Sequence, residues 1–187
     1  LNDRDLTAVA NRVVEQLRAR NDRLVLAESC TGGLAAALLA RIPGVSEVLC
    51  GSAVVYQVET KAGWLRVPRS LLKKPGPVSP EVACAMAAGV LTSTPHANVS
   101  AAITGHLGPG APTGQDGLVF LAFAARAQGR RPPRVVIKKL ELSQEPEDRV
   151  ARPLQKRLRR QRSAAAHLLD WILVNLPKAS RDRPVLG

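Results

Sequence analysis

The chain has 187 residues, 45% hydrophobic and 22% charged, the composition of a folded globular protein rather than a disordered one. That length predicts a single compact domain whose core needs no disulfide or metal staple. No apolar run approaches the ~20 residues that cross a bilayer, and the charged start Leu1-Asn2-Asp3-Arg4-Asp5 is not followed by the apolar stretch of a secretory signal.

Cys30, Cys50 and Cys84 are odd in number and lack C-x-x-C spacing, which argues against a disulfide framework or a cysteine zinc site and for a reducing, cytoplasmic setting. His96, His106 and His167 are scattered, so no metal is expected. The net charge of +12 is uneven: residues 1–129 carry +3 and residues 130–187 carry +9. Such a field attracts anions, whether nucleotides, phosphates or nucleic acid.

In chain order, Leu6, Val9, Val13 and Leu17 recur at helical spacing and predict an amphipathic helix over 5–20. Leu24-Val25-Leu26-Ala27 reads as a buried strand. A helix follows from Leu34 to Leu39 and ends near Pro43-Gly44. Val48 to Tyr56 reads as a second strand, and 59–65 as a short helix. After the proline-rich connection Lys73–Pro80, Ser79-Pro80-Glu81 starts a helix that runs to about Thr92, with a capping hydroxyl and a proline in the first turn.

Asn98 to Ile103 reads as a third strand. Gly105–Gly117 is a glycine- and proline-rich loop after that strand, where α/β proteins place binding groups. Leu118–Ala125 and Val135–Leu142 read as two strands joined by the turn at 128–133, an antiparallel hairpin. Val150, Leu154, Leu158, Ala165, Leu169, Ile172 and Leu176 form a long helical stripe, which Pro153 either kinks or starts. The domain is expected over residues 1–176, with 177–187 a flexible tail. The alternation predicts an α/β sandwich with a mixed, mainly parallel sheet, a C-terminal hairpin and a closing long helix.

The segment richest in chemistry is Ala27-Glu28-Ser29-Cys30-Thr31-Gly32-Gly33, where a strand ends and a helix begins. Main-chain N–H groups in such a turn can hold a phosphate, or an oxyanion formed beside the serine. A plain helix cap followed by packing glycines fits the same residues. Cys30 is a rival nucleophile to Ser29, since a thiol at a helix N-terminus can ionise more readily; it also suits a small core position. No histidine has the context of a triad base. A lysine neutralised by burial is the other candidate base, and Lys61 fits; Tyr56 and Lys61 flank one turn and can converge on one pocket.

Glu28-Ser29-Cys30-Thr31-Gly32-Gly33, Val55-Tyr56 with Lys61-Ala62, Gly76-Pro77-Val78-Ser79, and Ile103-Thr104-Gly105 with Gly108-Pro109 occur in one order across 5–176. Together they resemble the C-terminal domain of the competence/damage-inducible protein CinA, a family that includes stand-alone nicotinamide-nucleotide amidohydrolases. The resemblance implies a three-layer α/β/α sandwich. It implies hydrolysis of the carboxamide of nicotinamide mononucleotide to nicotinic acid mononucleotide and ammonia. Ser29 matches the nucleophile, and Tyr56 and Lys61 its base-side partners. Cys30, Thr31, Gly32 and Gly33 form the oxyanion or phosphate loop, and Thr104 with Gly105 a substrate-side position. Arg149, or else Arg159 or Arg160, matches a substrate-binding arginine.

No metal or cofactor is implied; the partner is a small nucleotide substrate, no membrane is involved, and homo-oligomerisation stays open. Gln115-Asp116 replace the Pro-Val step of the family, and His106-Leu107 stand where it has smaller or aliphatic residues. Two other readings remain: a divergent member acting on another small amide or nucleotide, and a nucleic-acid-binding accessory protein. The second rests on the basic run Arg149, Arg152, Lys156, Arg157, Arg159, Arg160 and Arg162. With few aromatics to stack bases, it ranks below the enzyme.

Overall fold

A computed structural model describes residues 3–127, 132–142 and 152–176. Arg149, the turn residues 128–131 and the tail 177–187 lie outside the described residues. Helix α1 (Asp3–Ala19) buries Leu6, Ala10, Val13, Val14 and Leu17, one stripe at helical spacing, with Asp3 and Asp5 in its first turn and Arg18 in its last, both signs matched to the helix dipole. Strand β1 (Leu24–Glu28) is buried along its whole length. The reason is its place: it pairs in parallel with β2 (Leu49–Val54) on one side and β3 (Val99–Gly105) on the other. A strand covered on both faces reads as a continuous apolar run, as Leu24–Ala27 does.

The sheet order is β2-β1-β3-β4-β5, with β4 (Leu118–Ala125) antiparallel to β3 and to β5 (Arg134–Glu141). Four of the five strands therefore point one way, while the ladders divide evenly between parallel and antiparallel. The outer strand β5 carries Arg134, Lys138, Lys139 and Glu141, charges that blunt an exposed sheet edge.

Two cores cover the two faces. One joins α1, α2 (Leu34–Ala40) and α6 (Pro153–Asn175) to Leu24, Leu26, Ala101, Ile103, Val119 and Leu121. The other joins α3 (Val58–Leu65), α4 (Arg69–Lys73) and α5 (Pro80–Ser93) to Val25, Ala27, Ala102, Phe120 and Ala122. Alternate residues of each strand point to opposite cores, which gives the three-layer sandwich. Ser79 caps α5, its hydroxyl accepting from the Val82 N–H at 3.3 Å, with Pro80 in the first turn. At Gly89 of α5 an added Cβ would lie 2.1 Å from the Leu65 carbonyl, so α3 ends directly against this helix.

Three details differ from the sequence reading. Helix α4 was not foreseen; its five residues bury only Leu72, too little for a periodic signal. The second strand leaves the sheet at Val54, so Val55 and Tyr56 belong to the following turn, although the Val55 N–H still donates to the Glu28 carbonyl at 2.8 Å. In α6, which begins at Pro153, the apolar stripe has the wrong phase in its first half: Leu154 and Leu158 are 67% and 51% exposed. The buried face there runs through Arg160, Ala164, Leu168 and Ile172. The start of α6 lies over the β3–β4 loop rather than the core, so a charged side chain takes the inner position.

Candidate active site

Glu28 ends β1 and is fully buried. Its carboxylate accepts from Thr31 Oγ1 at 2.7 Å, from the Ala35 and Ala36 N–H groups at 3.1 and 2.9 Å, and from Ser52 Oγ at 3.3 Å. A carboxylate thus closes the N-terminus of α2, where the helix dipole favours negative charge. Two successive left-handed residues, Gly32 and Gly33 (φ 63° and 95°), turn the chain into α2, a path side-chain-bearing residues rarely follow. Within the turn the Gly32 N–H donates to the Ser29 carbonyl at 3.0 Å and the Leu34 N–H to the Thr31 carbonyl at 3.2 Å. Part of the amide set that the sequence offers to an anion is therefore spent on holding the turn. Glu28 was not foreseen in this role; the available signal is an acid at a strand end followed by Thr31 and a helix start.

Ser29 extends the sheet by one residue, its N–H donating to the Ile103 carbonyl at 3.1 Å, and its side chain faces a cleft at the strand ends. Lys61 reaches it from α3. The lysine occupies the inward face of that helix, one turn before Leu65, and is only 2% exposed. Its Nζ lies 3.0 Å from Ser29 Oγ, 2.8 Å from the Val55 carbonyl oxygen and 3.2 Å from that of Tyr56. No carboxylate is among these three acceptors. Burial disfavours the ammonium form and lowers the pKa of Lys61 to about 8.

The geometry defines what this amine can do. As an ammonium it donates to all three oxygens. As a neutral amine it keeps two N–H groups for the two carbonyls, and its lone pair takes the remaining direction, toward the Ser29 hydroxyl. The carbonyls therefore orient the base. Cys30, the rival nucleophile, is 4% exposed, and burial pushes its thiol up to about 12. It stays protonated where Ser29 has a base in contact.

Ser29, Tyr56, Lys61, Thr104, Gly105 and Arg157 line one cleft of about 240 Å³. Thr104 is buried, its hydroxyl donating to the Pro77 carbonyl at 3.0 Å, so β3 and the loop before α5 share a wall. Tyr56 is 56% exposed; its carbonyl meets Lys61, whereas its hydroxyl accepts from Arg157 Nη2 at 2.6 Å. Arg157 also donates from Nη1 to the Gly108 carbonyl at 2.7 Å. The sequence marks Arg157 only as one member of a basic run.

The β3–β4 loop is closed at its neck, the His106 N–H donating to the Leu118 carbonyl at 2.8 Å and the Gly117 N–H to the His106 carbonyl at 2.9 Å. Arg160, one of the alternative substrate-binding arginines, is fully buried and grips Asp116 with two bonds of 2.7 and 3.0 Å. Asp116, half of the departure from the family pattern, thus anchors the loop to α6. Arg162 pairs with Asp3. Of the basic run, Arg157 thus faces the cleft, Arg160 the interior and Arg162 helix α1. His106 also lines the cleft, and partial burial lowers its pKa. Among the described residues no group of three or more His, Cys, Asp or Glu could hold a metal ion, and no helix is long and apolar enough to cross a membrane.

The family model "CinA C-terminal domain" matches residues 6–163. A CinA-like protein of Myxococcus xanthus is 41% identical over 135 residues, 71% of this chain and 32% of that protein. A CinA-like protein of Desulfotalea psychrophila is 43% identical over 122 residues, 64% of this chain and 29% of that protein. The chain thus spans about a third of the length of these relatives. Among solved structures, the competence/damage inducible protein CihA from Agrobacterium tumefaciens has a TM-score of 0.73 at 32% identity, covering 89% of this chain and 94% of that one. A CinA superfamily protein from Escherichia coli has a TM-score of 0.77 at 27% identity, covering 94% of both. With the motif order, the sandwich fold and these matches in agreement, the chain belongs to the CinA C-terminal domain family.

Proposed function

We propose that the protein is a serine-dependent amidohydrolase that converts nicotinamide mononucleotide and water to nicotinic acid mononucleotide and ammonia. The observation that carries this reading is the contact of Lys61 Nζ with Ser29 Oγ at 3.0 Å, inside a cage with no carboxylate among the acceptors of the amine. An amide is a poor electrophile, so a serine can attack it only as its proton leaves and as the carbonyl oxygen is stabilised.

Neutral Lys61 takes the Ser29 proton while Oγ forms a bond to the carboxamide carbon. The remaining N–H groups of the Cys30–Gly33 turn hold the oxyanion. The tetrahedral centre expels the amide nitrogen, which leaves as ammonia with the proton carried by Lys61. The ester left on Ser29 is cleaved by water, whose proton passes to Lys61 and then to Ser29 Oγ as the carboxylic acid departs. Tyr56 orients Lys61 through its carbonyl, and Thr104 and Gly105 form the substrate-side wall. Arg149, proposed for the substrate, lies outside the described residues.

The test is ammonia release from nicotinamide mononucleotide. The native protein should release it, and Ser29→Ala should lose at least about a thousandfold in kcat/KM while keeping its circular-dichroism spectrum and melting temperature. A native protein inactive on this compound but active on another amide in a panel would assign the same centre a different substrate. Full activity in Ser29→Ala would remove the serine mechanism.

A further inference from the structure

Three segments remote in sequence meet on the guanidinium of Arg157. Its Nη2 holds the Tyr56 hydroxyl, which belongs to the turn between β2 and α3. Its Nη1 holds the Gly108 carbonyl, in the loop between β3 and β4, and its own backbone belongs to α6. All three segments line the cleft that contains Ser29 and Lys61. Both oxygens it meets are neutral, so Arg157 does not serve to pair charge; it joins walls.

Tyr56 is the link to the chemistry. Its carbonyl is one of the three acceptors around Lys61 Nζ, and its hydroxyl is the group Arg157 holds. An aromatic side chain that is 56% exposed would ordinarily exchange rotamers freely. Here its hydroxyl is fastened to α6 across the opening, while the main-chain carbonyl of the same residue is held by the amine below. The Gly108 end is equally fixed: an added Cβ there would lie 2.6 Å from Asp116 Oδ1 and 3.0 Å from Arg160 Nη1, so the loop is wedged against the half-exposed Asp116 and its partner, the buried Arg160, one helical turn further along α6.

We propose that Arg157 is a positioning residue for the Ser29–Lys61 pair: by tying the Tyr56 hydroxyl to the Gly108 carbonyl it narrows the mouth of the cleft and shields the amine of Lys61 from bulk water. The proposal rests on the reading of Ser29 and Lys61 as the reactive pair. Among the described residues the ionisable groups around Lys61 are few. Cys30, in the turn before α2, stays a neutral thiol. Glu28, at the end of β1, spends its carboxylate on α2. His106 and Arg157 line the cleft from the β3–β4 loop and α6, and α5 meets α3 through Gly89. Dryness is therefore the main device that makes the lysine a base near neutral pH, and the strap is what maintains it.

The experiment follows the Lys61 side-chain ¹³Cε resonance through a pH titration of the full chain without substrate. The native midpoint is expected near 8. In Arg157→Met, which keeps the aliphatic stem and loses the donors, the midpoint should rise by about one pH unit as water enters. Tyr56→Phe breaks one tie while keeping the positive charge, and should move the midpoint the same way by a smaller amount. Arg157→Lys, which retains the charge but offers its N–H groups from a single nitrogen rather than a fork, should restore part of the shift.

In activity, Arg157→Met should lose about tenfold in kcat/KM at pH 7 and recover above pH 9, since a one-unit rise removes about nine-tenths of the neutral amine. An unchanged midpoint in Arg157→Met with a native-like spectrum overturns the proposal. So does a shift in Arg157→Met with none in Tyr56→Phe, which would assign the effect to charge alone. If Arg157→Met does not fold, Tyr56→Phe decides by itself. The titration needs no turnover: a protein that releases no ammonia still reports on the strap, and an active protein with an unmoved titration fails this proposal alone.

Discussion

At the residue scale, the decisive group is a lysine placed where a helix ordinarily presents an apolar side chain. Lys61 and Leu65 share the inward face of α3, and the lysine is tolerated because three oxygens receive its hydrogens. Burial lowers its pKa from the ordinary 10.5 to about 8, so the base-competent neutral form grows as pH rises through that value. The pH profile of kcat/KM for amide hydrolysis should therefore climb below about pH 8 and level off above it. Lys61→Met should abolish this limb together with at least about a thousandfold of the rate, as measured from initial velocities between pH 6 and 10. The motif made Ser29 and Lys61 candidates; a spacing of 32 residues says nothing about distance. Only the folded turn brings the two side chains to 3.0 Å.

At the element scale, the turn from β1 into α2 depends on a buried carboxylate. Glu28 accepts four hydrogen bonds, two from the first-turn amides of α2. Removing it orphans buried donors at a cost of about 1–3 kcal/mol each, only partly recovered by water. Glu28→Ala should thus destabilise the fold by about 3 kcal/mol or more in urea titrations, and should also reduce activity because Ser29 follows directly. Glu28→Gln, which keeps the shape and acceptor oxygen, should cost less. The elements themselves were largely legible. The parallel strand β1 shows as an unbroken apolar run, α5 announces itself through Ser79-Pro80, and the hairpin through a short link. Helix α4 and the phase of early α6 were not legible. A single buried Leu72 leaves no periodicity, and the leucines at 154 and 158 look like core until the loop beneath them is known.

At the scale of the whole molecule, α6 carries the sandwich and the site together. Its second half closes one core through Leu168, Leu169 and Ile172, and its first half holds the β3–β4 loop through Arg157 and Arg160. The hydrogen bonds from Arg160 hold the Asp116 carboxyl below the usual carboxylate range. A carboxyl with a depressed folded pKa contributes stability above its unfolded value, and that contribution is lost as pH falls through the lower folded one. Melting temperature should therefore fall on acidification below about pH 4, the ordinary carboxyl range. Asp116→Asn should flatten part of that fall and lower stability at pH 7 by no more than about 1 kcal/mol, because the carboxylate is half-exposed and its pairing with Arg160 is screened by solvent. Differential scanning fluorimetry from pH 3 to 8 checks both.

By itself the sequence determined the order of elements, the two-faced burial of the central strands and the identity of the motif residues, because these depend on local pattern: period two, period 3.6, caps and glycine turns. It also marked Ser29, Tyr56, Lys61 and Thr104 as candidates at or just after the ends of predicted strands, whereas the order that makes those strands neighbours belongs to the folded sheet. What only the tertiary structure decided is how charge is used. Burial, not residue type, makes Lys61 a weak acid near neutrality and Cys30 an inert thiol. The basic run of α6 divides among a clamp at Arg160, a strap at Arg157 and a surface pair at Arg162. Solvation and partner distance are properties of three-dimensional neighbours, and no local pattern encodes them.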